Sequence, residues 1–119
     1  MTLLAHVAEE RHGSLAAARV EGEIDASNVD GLEGKLRASL TNDCDGLAVD
    51  LSGTTYLDSA GIALLFTLAS DLRRHQQQLR LVVVSSSPIA RMVSLARLDA
   101  AVPTHPTLAA AVAEAGGRE

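Results

Sequence analysis

Aromatic residues are nearly missing from this chain, with Tyr56 and Phe66 the only two and no tryptophan at all. The core must therefore be built from Leu, Val, Ala and Ile, as in layered α/β proteins. The rings on which single-stranded nucleic acid stacks are lacking too. Cysteine is single, which excludes an intrachain disulfide, and Cys44 lies between Asp43 and Asp45, a poor setting for a thiolate. Lysine is also single, Lys35, and the remaining basic residues are arginines scattered along a chain of net charge −5. No cluster is dense enough to neutralise nucleic-acid phosphates, so protein partners are expected instead of nucleic acid. Long hydrophobic runs are absent as well: nothing approaches the roughly 20 apolar residues of a membrane span. The first residues carry neither the basic segment nor the apolar stretch of a signal peptide. The expectation is a cytoplasmic protein without membrane insertion.

What is present suits one compact domain spanning 1–119, since 47% of the residues are apolar, too many for a disordered chain. Leu3 to Val7 and Ser14 to Val20 read as a hairpin around Arg11-His12-Gly13, although Ala16, Ala17 and Ala18 are weak strand formers. Ala26-Ser27-Asn28 can cap a helix that carries Val29, Leu32, Leu36 and Leu40 and runs to Asn42. Gly46 to Leu51 has the continuous apolar character of a central strand buried on both faces.

After a loop at Ser52-Gly53-Thr54-Thr55, a helix starting near Ser59 places Ile62, Leu65, Phe66, Ala69 and Leu72 on one stripe. It ends among Arg73, Arg74 and His75, whose charge complements the helix dipole. Leu79 to Val84 is the strongest strand, and Pro88 opens a further helix to Leu98. Ala101-Val102 reads as a short edge strand, and Thr107 caps a last helix ending at Gly116-Gly117. The order ββαβαβαβα predicts an α/β fold with a mixed sheet of four to five strands and helices packed on it.

Catalytic patterns are scarce. His6, His12, His75 and His105 lack metal-ligand spacing and read as surface residues, so no metal site is expected. There is no phosphate-cradling glycine loop or nucleophile elbow, and no cofactor is expected. Asp50 at a strand end, with Glu9-Glu10, is similar to the acidic site of a response-regulator receiver, but no lysine follows the last strand. Asp50-Leu51-Ser52-Gly53-Thr54 echoes a dehalogenase-type phosphatase motif with serine in place of its second aspartate.

Leu57-Asp58-Ser59-Ala60-Gly61 is the more informative segment. A serine at a helix start meets unpaired N–H groups and the positive dipole end, where phosphate is favoured. The plain alternative is that Asp58 or Ser59 only caps the helix, worth about 0.5–2 kcal/mol.

Three stretches decide between the two. Val20-Glu21-Gly22-Glu23-Ile24-Asp25 comes first. Leu47-Ala48-Val49-Asp50-Leu51-Ser52 running on through Tyr56-Leu57-Asp58-Ser59-Ala60-Gly61-Ile62 is the second, and Leu79 to Val84 followed by Pro88 to Val93 and Leu98 the third. Together they resemble the STAS family of anti-sigma-factor antagonists across nearly the whole chain. The resemblance implies a non-enzymatic regulator that binds an anti-sigma factor with serine-kinase activity and is switched off by phosphorylation. It also implies a serine phosphatase among the partners. The phospho-acceptor would be Ser59, with Asp58 presenting its hydroxyl. Asp25 would either line the same surface or serve its own turn, and Gly61 would admit a partner's backbone or allow close helix packing. Ala60 stands where related proteins often carry a second hydroxyl, and Gln76-Gln77-Gln78 replaces a glycine-rich turn. A STAS subunit of a lipid-transport or stress-signalling complex, working without phosphorylation, is the other reading the resemblance allows.

Overall fold

A computed structural model describes residues 6–115. Strands β1 (His6–His12) and β2 (Leu15–Ile24) form the antiparallel hairpin, turned by Gly13 at φ 63°. Leu3 to Ala5 and the Gly116-Gly117 helix end lie outside the described residues. Helix α1 (Val29–Ala38) leads into β3 (Gly46–Asp50), whose five residues are all buried. Strand β4 (Thr54–Leu57) then precedes α2 (Ser59–Arg74) and β5 (Gln78–Val82). Two short helices, α3 (Ala90–Leu95) and α4 (Leu98–Ala101), are followed by β6 (Thr104–His105) and α5 (Leu108–Ala115).

The sheet has six strands in the order β1-β2-β3-β5-β6, with β4 beside β2, and every pairing except β1 with β2 is parallel. The mixed α/β architecture is therefore as expected, but the strand count exceeds four to five. The difference lies in Thr54 and Thr55, which read as loop and in fact belong to β4. Their polarity hid them: Thr54 is buried because its hydroxyl donates to the Val20 carbonyl at 2.8 Å. Glycine makes the arrangement possible. β2 pairs with β3 through Arg19 and then with β4 from Gly22, where the register shifts and φ is 105°, a backbone state that costs glycine nothing.

Other boundaries also moved. Helix α1 ends at Ala38, before Asn42. The helix read from Pro88 to Leu98 is split into α3 and α4 by Arg97 at φ 61°, a left-handed residue that breaks the hydrogen-bond ladder. Ala101 closes α4 instead of forming an edge strand, and the edge is Thr104–His105, paired with Leu81 and Val82. Glu9 and Glu10 lie within β1, not after it.

Strand alternation divides the interior into two unequal layers. Ala16, Ala18, Val20, Leu47, Val49 and Leu51 face a large core shared with α1 to α4. Leu15, Ala17 and Ala48 face the other way and are covered by Leu108, Val112 and Ala115 of α5. The core is aliphatic, and both aromatics lie outside it, Tyr56 at 49% and Phe66 at 37% exposure. Phe66 is thus off the inward stripe of α2, which runs through Ile62, Leu64, Leu65, Leu68, Ala69 and Leu72. His105 also departs from its surface reading. With β6 paired to β5 and α5 folded over both, it is buried beside Arg80, whose Nη1 lies 3.2 Å from its Nε2 and donates to Glu114 at 2.9 Å.

The junction of β4 and α2

The branch of the sheet formed by β2 and β4 ends with Ile24 level with Leu57, and the Asp58 amide donates to the Ile24 carbonyl at 3.2 Å. Two turns are thereby brought side by side: Asp25 to Asn28, which leads into α1, and Asp58-Ser59, which opens α2.

Asp58 is the N-cap of α2, with extended backbone and a carboxylate turned back over the first turn. Its Oδ1 accepts from the Ala60 amide at 2.9 Å and the Gly61 amide at 3.1 Å, the orphan donors that a cap satisfies. Its Oδ2 accepts from the Ala26 amide at 3.2 Å, across the gap between the turns. The carboxylate is therefore held by three backbone N–H groups. Asp58 is thereby the cap of α2, the plain role that the sequence allowed it.

Ser59 is the first residue of α2 and its side chain is exposed. Ala60 is half-buried behind it, and Gly61 is buried. Gly61 has a packing reason: a Cβ there would come within 2.5 Å of Leu57 Cδ1 and 2.8 Å of Ile24 Cγ2. Glycine here lets the helix start sit low on the ends of β2 and β4 without displacing those two side chains.

Asp25 serves its own turn. Its Oδ1 accepts from the Ser27 hydroxyl and from the Ser27 amide at 2.9 Å. The Ser27 hydroxyl and then the Ser27 amide hold the Asp25 carboxyl below its ordinary value of 3.8, outweighing the opposing effect of burial. Asn28 completes the turn, accepting from the Asp25 amide at 3.0 Å and donating to the Glu23 carbonyl at 2.7 Å. Sequence reasoning placed Asn28 only as a helix cap. An asparagine three residues after an aspartate is the signal that could have suggested this local pairing.

A cavity of about 380 Å³ opens at the opposite end of the sheet from Ser59, lined by Ser14, Asp45, Gln76, Gln77, Gln78 and Arg80. Those residues stand at the amino ends of the parallel strands, whereas Ser59 stands past the carboxyl ends. Among the described residues, no group of three or more His, Cys, Asp or Glu side chains is arranged to hold a metal ion. No helix among them is long and apolar enough to cross a membrane.

Fold and junction together define a small α/β domain with an exposed serine at the start of a helix capped by the preceding aspartate. The STAS domain model matches residues 6–111, and the chain belongs to that family. An anti-sigma factor antagonist from Mycobacterium paratuberculosis has a similar structure, with 26% identity, 92% of each chain covered and a TM-score of 0.83. SpoIIAA in its unphosphorylated form shares the fold at 16% identity and a TM-score of 0.76, covering 96% of this chain and 99% of that one. The phosphorylated form of SpoIIAA, a Bacillus cell fate determinant, shares it at 15% identity and a TM-score of 0.68, covering 92% and 99%.

Proposed function

We propose that this protein is an anti-sigma factor antagonist, a non-enzymatic cytoplasmic regulator that binds an anti-sigma factor with serine-kinase activity and is switched off by phosphorylation of Ser59. The observation that carries the reading is the exposed Ser59 side chain at the first position of a helix whose cap is already supplied by Asp58. A serine relieved of capping is available for modification. Membership of the STAS family and the likeness to the mycobacterial antagonist support the assignment of partner.

The chemistry is received, not performed. The γ-phosphoryl group of a nucleoside triphosphate held by the kinase passes to Ser59 Oγ, the hydroxyl proton goes to a base on the kinase, and the nucleoside diphosphate leaves. The base is assigned to the kinase because the Asp58 carboxylate already accepts from Ala26, Ala60 and Gly61 as the helix cap. The product carries about −1.5 to −2 additional charges at a surface already lined by Asp25 and Asp58. An interface fitted to a neutral hydroxyl then meets a desolvation cost and like-charge repulsion. A serine phosphatase restores the binding form.

Incubation with the cognate kinase and a nucleoside triphosphate should add the mass of one phosphate, localised to the peptide containing Ser59. Ser59→Ala should stay unmodified while still binding the kinase, and Ser59→Asp should bind it more weakly. Ordinary phosphorylation of the Ala variant would show that the acceptor lies elsewhere.

A further inference from the structure

Asp58 does more than cap a helix. Its Oδ1 serves the first turn of α2 through Ala60 and Gly61, while its Oδ2 reaches the Ala26 amide in the turn before α1. Ala26 lies 32 residues away in sequence, so the bond ties two separate segments of the surface. The Ala26 contact, at 3.2 Å, is also the longest of the three. Within its own turn Asp25 is occupied by Ser27, and Asn28 spans Asp25 and Glu23. The carboxylate of Asp58 is thus a side-chain tie between this turn and the start of α2.

We propose that Asp58 couples the charge on Ser59 to the Asp25–Asn28 turn: a negative charge on Ser59 draws the Asp58 carboxylate off the Ala26 amide and frees that turn. The inference rests on Ser59 being the switch. A phosphate on the first residue of α2 competes for the same positive helix end that holds the Asp58 carboxylate, and it repels that carboxylate at close range. The two anions compete for the first-turn amides, and the bond to Ala26, at 3.2 Å the longest that the carboxylate accepts, is the one given up. Phosphorylation then alters the partner surface at both turns, by adding charge at one and loosening the other. Asp58 is a positioning residue in this account, acting on the partner through the Ala26 turn.

The test compares Ser59→Glu with the uncharged, similarly shaped Ser59→Gln, reading backbone amide exchange residue by residue by NMR on the full chain. Ser59→Glu should speed exchange of the Ala26 amide by about tenfold, the loss of one charge-assisted hydrogen bond, while Ser59→Gln leaves it unchanged. Asp58→Asn, which can still cap α2 through its side-chain oxygen, should release Ala26 to a similar extent without any charge at position 59. Unchanged exchange at Ala26 in Ser59→Glu overturns the coupling, and so does an equal effect from Ser59→Gln, which would assign the release to bulk. Neither readout involves a kinase. A failure of Ser59 as phospho-acceptor is seen separately, in the intact-mass experiment.

Discussion

At the scale of single residues, the junction depends on two side chains that do opposite things: Asp58 reaches out to three amides, and Gly61 has no side chain to place. Gly61→Ala should cost about 1–3 kcal/mol in urea unfolding, because the added methyl overlaps the buried Leu57 and Ile24 side chains, which must shift to admit it. Ser59→Ala should leave the midpoint nearly unchanged, since the Ser59 side chain is exposed and Asp58 supplies the cap. That contrast separates structural from regulatory roles within three consecutive positions. Asp58-Ser59-Ala60-Gly61 was legible in the sequence as a helix start, but the division of labour was not. Which carboxylate oxygen meets which amide depends on Ala26, and no local pattern announces a partner 32 residues away.

At the scale of elements, α1 and α2 are joined on their outer sides by an ion network. Arg37 donates to Glu33 at 2.9 Å and to Asp71 at 2.7 Å, and Asp71 also accepts from Arg74. The hydrogen bond from Arg37 is the leading reason that the Asp71 carboxyl sits below its ordinary value of 3.8, against a smaller opposing effect of burial. A carboxyl whose native value is depressed stabilises the fold above its unfolded value, and that contribution is lost as pH falls through the native one. Asp71→Asn should therefore lower Tm at neutral pH. The gap between variant and parent should close as the pH drops below 3.8, in paired thermal scans.

On the other side of the sheet, α5 rests on Leu15, Ala17 and Ala48, and small side chains set how closely it approaches. Ala48→Leu should push it away and cost about 1–3 kcal/mol, read from the urea midpoint. The element pattern was largely readable, because buried strands such as Gly46–Asp50 and the long stripe of α2 carry strong periodicity. β4 was not, because four residues with two threonines carry too little period to separate a strand from a loop.

At the scale of the whole molecule, one aliphatic core spans four helices and most of the sheet, so it should unfold as a unit. Leu68 is fully buried near the middle of α2, and Leu68→Ala should remove about 2–5 kcal/mol of stability, followed by far-ultraviolet circular dichroism. Fluorescence would be a weak monitor, because there is no tryptophan and Tyr56 is already half exposed in the folded state. The acidic balance of the chain acts at this scale too, since it sets the background against which a further negative charge is read by a partner.

By itself the sequence determined the class of fold, the aliphatic nature of the core, the family and the position of the serine. The first two follow from composition and periodicity, and the family and the serine from a resemblance carried by short stretches, all of them local properties of the chain. Only the tertiary structure decided that β2 changes partners at Gly22, that Phe66 faces outward and that His105 is buried. It alone also showed that Asp58 ties the start of α2 to the turn before α1. Each of these depends on which distant segment lies alongside, and hydrogen bonds and burial are made with neighbours in space that local sequence does not name.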